Sequence, residues 1–123
     1  MIWKRPILKH GVPTKWLWVV WYPEGLDLGE GVDIGAYTFI QAKRGVVIED
    51  EVQIGAHCAI YSVSTIDDKS GQVVIRRGAR IGALSVIMPG VEIGAGAVVG
   101  ACSFVNRDVP AGATVYGSPA REA

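Results

Sequence analysis

The chain has 123 residues, half of them apolar, and its twelve basic residues are balanced by twelve acidic ones. This length predicts one domain, and the neutral charge offers no basic stripe for nucleic acid or an anionic membrane surface to bind. The sixteen glycines recur at regular offsets without a Gly-X-Y pattern, which points to internal repeats.

The first predicted element is an N-terminal capping segment, residues 1–25, which is rich in aromatic side chains. These are Trp3, Trp16, Trp18, Trp21 and Tyr22. We expect them to close an open end of the domain or to line a subunit contact; alternatively, one of them stacks on a nucleotide or sugar ring. The longest apolar run, residues 16–22, is far shorter than the ~20 residues that span a bilayer. No signal peptide is recognisable, so we expect a cytoplasmic protein.

From Leu28 onwards an aliphatic residue returns at every sixth position. With two resets of phase, at 41–47 and 67–74, the series is Leu28, Ile34, Ile40, Ile48, Ile54, Ile60, Ile66, Ile75, Ile81, Ile87, Ile93, Val99 and Val105. A second series, four residues after these positions, is small or β-branched: Val32, Thr38, Val52, Cys58, Ser64, Ala79, Ser85, Val91, Ala97, Ser103 and Val109. A period of six is neither helical nor a simple strand alternation. It indicates short strands joined by corners, with both series pointing inwards.

Three such sides make a coil of about eighteen residues. Residues 26–123 are therefore predicted to form one all-β domain, a left-handed parallel β-helix of roughly four to five stacked coils. The alternative is a β-sandwich, whose strands vary in length and would not return an aliphatic side chain so regularly. The two cysteines, Cys58 and Cys102, have neither metal-ligand spacing nor a disulfide framework, so we expect free thiols.

The most specific sequence lies near the C-terminus. Residues 81–101 read IGALSVIMPGVEIGAGAVVGA, followed by VNRDVP at 105–110 and GSPAR at 117–121. This stretch, with the repeats from residue 26 onwards, resembles the hexapeptide-repeat acyltransferase superfamily, in particular its sugar and antibiotic acetyltransferases. The resemblance implies an acetyltransferase that uses acetyl-CoA as co-substrate. It also implies a homotrimer whose active sites lie in grooves between neighbouring subunits.

The leading function is transfer of an acetyl group to a hydroxyl or amine of a sugar, nucleotide-linked or otherwise activated. Two alternatives differ in class. The γ-type carbonic anhydrases share this fold but need three histidines around zinc, and this chain has two histidines, so no metal is expected. The other alternative is a non-catalytic β-helix subunit that serves assembly or binding.

The resemblance implies that acetyl-CoA lies along the coils. Gly82, Ala83, Gly100 and Ala101 would let its pantetheine arm approach the backbone, although the corners alone also favour small residues. The phosphates of the coenzyme are negatively charged, so we expect a basic side chain to bind them. Arg121 matches the basic position of the family, and Arg107 is the second candidate.

Attack on a thioester needs a base, and histidine is the usual one near neutral pH. His10 lies in the capping segment, whereas His57 occupies an outward position of a coil. His57 is therefore the candidate catalytic base.

In many acetyltransferases of the family that the chain resembles, the loop matching residues 63–71 carries the catalytic histidine. Here this segment contains no histidine, and Thr65 is the nearest match. Loops that leave a rigid scaffold often contact substrate. Asp67 and Asp68 are therefore candidates to bind the sugar or to replace His57 as the base. A substrate amine that attacks without a protein base remains a further possibility.

Overall fold

The computed structural model describes residues 2–123 as a left-handed parallel β-helix, which confirms the predicted fold. Within these residues the strands are β1 (Val19–Trp21), β2 (Leu26–Leu28), β3 (Asp33–Ile34), β4 (Phe39–Gln41), β5 (Val46–Ile48), β6 (Gln53–Ile54), β7 (Ala59–Tyr61), β8 (Val63–Ser64), β9 (Lys69–Ser70), β10 (Val73–Ile75), β11 (Arg80–Ile81), β12 (Val86–Ile87), β13 (Glu92–Ile93), β14 (Val98–Val99), β15 (Phe104–Val105), β16 (Thr114–Gly117) and β17 (Ala120–Glu122). A single 3-10 turn covers Pro23–Gly25.

The strands form the three faces of a prism. Sheet 1 has the order β1-β4-β7-β12-β15, sheet 2 the order β13-β10-β5-β2, and sheet 3 the order β17-β16-β14-β11-β6-β3. Neighbouring strands within each face are parallel, except that β17 turns back antiparallel on β16. Numbered from β2, the coils are counted by the five parallel strands of sheet 3, so the described chain has five of them, and β1 precedes the first.

The interior of the prism contains the two residue series that define the repeat. With the exception of residues 64 and 66, every member of both series is buried. Six isoleucines of this core are at most 1% exposed: Ile40, Ile48, Ile60, Ile75, Ile87 and Ile93. Each coil therefore covers the apolar face of the next, as expected of a solenoid.

All differences in coil length arise at the corner between sheets 1 and 2. Ala59 pairs with Val86, twenty-seven residues further on, whereas Val86 pairs with Phe104 after eighteen residues. The extra residues of the longer coil form the hairpin of β8 and β9, which leaves the prism after Ser62 and returns at Gly71. The phase resets in the sequence thus mark one edge of the prism.

One member of the aliphatic series was wrongly assigned to the core. Ile66 follows Ile60 by six residues, yet its side chain is 99% exposed at the tip of the hairpin. The chain leaves the coil at Val63 and not at residue 67, because Val63 pairs with Ser70 across the hairpin. Ser64, assigned to the inward small series, lies on the same hairpin and is only half-buried.

The N-terminal segment runs across the open end of the first coil. The indole Nε1 of Trp3 donates to the carbonyl oxygen of Val32 at 2.9 Å, and Arg5 donates to that of Leu28 at 2.6 Å. Residues 19–21, placed in this segment by the sequence, pair with β4 as the first strand of sheet 1. Side-chain donors thereby satisfy carbonyls that have no preceding coil to pair with.

Candidate functional site

One corner of the prism, between sheets 3 and 1, carries an outward residue in a left-handed backbone conformation before each strand of sheet 1. These residues are Leu17, Tyr37, His57, Leu84 and Cys102, with φ between 57° and 72°, and we call them the corner column. All five are exposed. Non-glycine residues adopt this conformation infrequently, so its recurrence shows that the stacking of the coils imposes it.

Backbone hydrogen bonds hold the corner column in register. The N–H of His57 donates to the carbonyl of Ala36 at 3.0 Å, and the N–H of Leu84 donates to that of Ala56 at 3.0 Å. Successive members are thus separated by one coil, about 4.8 Å for parallel strands.

The residue after each member points inwards, and in three coils its side chain ties the corner to the next coil. Thr38 donates its hydroxyl to the carbonyl of Gly55 at 2.8 Å, the Cys58 thiol donates to Gly82 at 3.3 Å, and Ser85 donates to Gly100 at 3.1 Å. These bonds make the corner a rigid support for the exposed side chains.

His57 is exposed in the second coil, between β6 and β7. Its imidazole lies against the ring of Tyr37, with 5.1 Å between the ring centroids. Within residues 2–123 no polar side chain hydrogen-bonds this imidazole, so the aromatic neighbour is what orients it. The adjacent Cys58 faces the core, where burial raises the pKa of its thiol and disfavours the nucleophilic thiolate.

The four small residues proposed to contact the coenzyme lie at this same corner, in the third and fourth coils. Gly82 and Ala83 precede Leu84, and Gly100 and Ala101 precede Cys102. The glycines also have a packing reason: a Cβ on Gly82 would lie 2.5 Å from the backbone nitrogen of Ala101. A requirement of the fold therefore accounts for Gly82 whether or not a ligand binds there.

A shallow groove on the outer face of sheet 3 runs up to the corner column. Its volume is about 400 Å³, and its lining includes Gln53, Arg80, Gly55 and Gly82. Gln53 and Arg80 are not among the candidate residues predicted from the sequence. Their outward orientation could have been read from the two-residue alternation within β6 and β11, where Ile54 and Ile81 point inwards.

Asp67 and Asp68 lie at the exposed tip of the β8–β9 hairpin. The Ser64 hydroxyl donates to the carboxylate of Asp67, and Asp68 has a left-handed backbone with φ of 53°. The hairpin follows β7, whereas His57 precedes it, so the aspartates and the imidazole lie at opposite edges of sheet 1. The structure does not bring them together within one chain.

Arg107 and Arg121 line the same small cleft at the C-terminal end of the prism, with a volume of about 90 Å³. Arg121 lies on β17 and donates to the carbonyl of Ala120 at 2.6 Å. Asp108 and Glu122 also line the cleft. The two candidate phosphate-binding cations are thus neighbours, although the sequence separates them by fourteen residues.

Within residues 2–123, no group of three or more His, Cys, Asp or Glu side chains is arranged to hold a metal ion. Over the same described residues, no helix has the length and apolar character needed to cross a membrane.

Comparisons with known proteins agree with this architecture. Residues 72–107 match the family model described as "Bacterial transferase hexapeptide (six repeats)". The chain is 33% identical over 95 residues to a serine acetyltransferase of Buchnera aphidicola, covering 77% of this chain and 36% of that protein. It is 53% identical over 51 residues to a dTDP-3-amino-3,6-dideoxy-alpha-D-galactopyranose 3-N-acetyltransferase of Aneurinibacillus thermoaerophilus, covering 42% and 27%.

Among solved structures, the chain is similar to a hexapeptide-repeat acetyltransferase of Vibrio cholerae complexed with acetyl-CoA. The TM-score is 0.81 at 31% identity, over 85% of this chain and 62% of that one. The chain thus carries the hexapeptide repeat of bacterial transferases at residues 72–107 and shares its fold with hexapeptide-repeat acetyltransferases. It spans about a third of the length of the serine acetyltransferase that it matches.

Proposed function

We propose that this protein is an acetyltransferase that moves an acetyl group from acetyl-CoA to a hydroxyl or amine of a sugar. The observation that carries the proposal is the placement of His57, which lies exposed on a rigid corner beside a groove. Support comes from the Vibrio cholerae structure, which holds acetyl-CoA, and from the relative named for an amino-sugar substrate.

The coenzyme would extend along the corner column. Its pantetheine arm would pass Gly82–Ala83 and Gly100–Ala101, and its phosphates would meet Arg121 and Arg107 at the C-terminal cleft. In sheet 3, β17 lies four strands beyond β6, the strand before His57, so the two sites are about four coils apart, roughly 19 Å along the axis. An extended thin arm suits such a span, and the small residues leave the backbone accessible to it.

In the proposed reaction the acceptor oxygen or nitrogen attacks the thioester carbonyl carbon while His57 removes its proton. The tetrahedral intermediate then collapses. The carbon–sulfur bond breaks, and the proton passes from His57 to the departing thiolate. The products are the acetylated acceptor and free coenzyme A.

A homotrimer would complete this site. The outer face of sheet 1 is apolar, with half-buried side chains that include Val19, Phe39, Tyr61, Val86 and Phe104. Packing this face against a neighbouring prism would bring the β8–β9 hairpin of one subunit close to the corner column of the next. Asp67 and Asp68 could then bind the acceptor opposite His57, although they are separated from it within one chain.

Assembly is tested by light scattering at micromolar concentration, where we expect about three times the 13.1 kDa of one chain. Phe39→Lys should dissociate the assembly because it places a charge in an apolar interface. Val98→Lys, on the outer face of sheet 3, is the matched control. If the wild-type protein is a monomer, the proposal of an active site between subunits is wrong.

The activity is tested by release of free coenzyme A thiol from acetyl-CoA with a panel of acceptors. The panel contains a hexose, an amino sugar, a nucleotide-linked amino sugar and serine, and we expect a sugar to be the best acceptor. Acetyl-CoA should also raise the melting temperature by mass action. If acetyl-CoA has no effect on melting and no acceptor is acetylated, the chain is a non-catalytic β-helix subunit. If serine is the best acceptor, the protein is still an acetyltransferase, but the proposed sugar acceptor is wrong.

A further inference from the structure

A cleft of about 450 Å³ lies at the N-terminal end of the prism, between the capping segment and the first coil. Its floor contains Leu28, Val32 and Ile34, which are 8%, 6% and 6% exposed. Their counterparts one coil on, Ile48, Val52 and Ile54, are 1%, 0% and 3% exposed. The capping segment therefore leaves part of the open end accessible, with a volume in the usual range for ligand pockets.

Indole rings form much of the wall of this cleft. Trp3, Trp16 and Trp18 all line it. Trp18 is 3% exposed and belongs to the core, whereas Trp16 is 41% exposed, so part of its side chain is accessible from the cleft. A planar ring that stacks on an exposed indole gains favourable contact with little loss of side-chain freedom.

Cations accompany these rings. Lys4 and Lys15 line the cleft, and the Nζ of Lys15 lies 5.1 Å from the ring centroid of Trp16. The acidic side chain in the lining, among the residues described, is that of Asp33. A stacking surface, two ammonium groups and one carboxylate together match a planar base, a phosphate and a sugar hydroxyl.

We propose that this cleft binds a nucleotide. The base stacks on Trp16, the phosphates contact Lys4 and Lys15, and Asp33 accepts a hydrogen bond from a ribose hydroxyl. A purely apolar ligand would make no use of the two ammonium groups, and free phosphate would make no contact that requires the indole ring. The cleft lies at the opposite end of the prism from Arg107 and Arg121, so it is distinct from the proposed coenzyme site and does not depend on the acetyltransferase activity.

The test uses UDP as the probe, with uridine and pyrophosphate as its two halves, in calorimetric titrations of the whole chain. We expect saturable binding of UDP, at least tenfold weaker binding of uridine, and no measurable binding of pyrophosphate at the same concentrations. UDP should also quench tryptophan fluorescence, because Trp16 is half-exposed. The absence of UDP binding, or equal affinity for UDP and uridine, would overturn the proposal.

Variants locate the site. Trp16→Ala should abolish UDP binding, and the double variant Lys4→Gln/Lys15→Gln should weaken UDP by about tenfold without changing the affinity for uridine. The matched control is Trp21→Ala combined with Lys43→Gln, since Trp21 is 44% exposed and Lys43 lies 5.7 Å from the ring of Tyr22, outside the cleft. An unchanged affinity for UDP in Trp16→Ala would refute this location.

Discussion

The phenol ring of Tyr37 lies against the imidazole of His57, with 5.1 Å between the ring centroids and 32° between the ring planes. The two residues occupy the same corner in successive coils, and both have a left-handed backbone. Stacking of the coils thus brings together two rings that are twenty residues apart in the sequence. The candidate base is oriented by an aromatic neighbour and not by a carboxylate.

Replacing His57 tests the proposed base. We expect His57→Ala to lower kcat by about 10²–10⁴-fold, the usual contribution of a positioned acid–base group. The assembly and the affinity for acetyl-CoA should change little, because the side chain is exposed and supports no packing. Steady-state kinetics, light scattering and a coenzyme titration provide the three measurements.

Asparagine at the same position separates proton transfer from hydrogen bonding. His57→Asn should be as inactive as the alanine variant if a proton is transferred, and should recover activity if His57 only hydrogen-bonds the acceptor. His10→Ala is the control for loss of a histidine outside the coils. If His57→Ala lowers kcat by less than about threefold, His57 is not the base. Asp67 or Asp68 would then be the base, or a substrate amine would attack without one.

Tyr37 is expected to position the imidazole. Removing the ring in Tyr37→Ala should lower kcat by about 2- to 12-fold, since aromatic pairs contribute about 0.5–1.5 kcal/mol. Tyr37→Phe should retain the wild-type rate because it preserves the ring contact. If phenylalanine fails as badly as alanine, the hydroxyl matters and Tyr37 acts on the substrate directly.

Arg121 is expected to contact a coenzyme phosphate. Arg121→Ala should weaken the binding of acetyl-CoA by about 3- to 10-fold. It should weaken the binding of dephospho-coenzyme A or a pantetheine fragment less, because the lost cation interacts mainly with phosphate. Arg77→Ala, at another corner of the prism, is the control. Equal losses for all three ligands would mean that Arg121 supports the fold and not the ligand.

Cysteine alkylation can map the coenzyme along the corner column. Cys102 is exposed, whereas Cys58 is buried and burial raises the pKa of its thiol, so iodoacetamide should modify Cys102 first. Acetyl-CoA should slow this modification if its arm passes Gly100–Ala101. Peptide mass analysis gives the rate at each cysteine. An unchanged rate at Cys102 with saturating acetyl-CoA would contradict the proposed path.

Two isoleucines that share the six-residue period should differ sharply in their contribution to stability. Ile60 is 0% exposed and Ile66 is 99% exposed. We expect Ile60→Ala to lower the free energy of unfolding by about 2–5 kcal/mol. Ile66→Ala should stay within about 0.5 kcal/mol of wild type. Denaturant unfolding of both variants at one protein concentration tests this, and similar losses would contradict the assignment of Ile66 to the hairpin tip.

The sequence by itself determined the architecture. A strand-and-corner unit of six residues must return a buried side chain at each repeat, so the period of Ile75, Ile81 and Ile87 indicates the three-sided coil directly. The same reasoning failed at Ile66. When the six-residue period is continued through an insertion, a residue can keep the spacing by coincidence without pointing inwards. Only the pairing of Val63 with Ser70 shows where the chain leaves the prism.

Only the tertiary structure decided which candidate residues share a surface. Residues far apart in sequence become neighbours through the coil register, which depends on the length of every insertion between them. That register places His57 beside Tyr37, places Arg107 in one cleft with Arg121, and separates Asp67 from the corner column. The sequence raised a stacking role for the N-terminal aromatic residues, but the cleft that Trp16 lines was beyond it, because its volume depends on how the capping segment crosses the open end of the first coil.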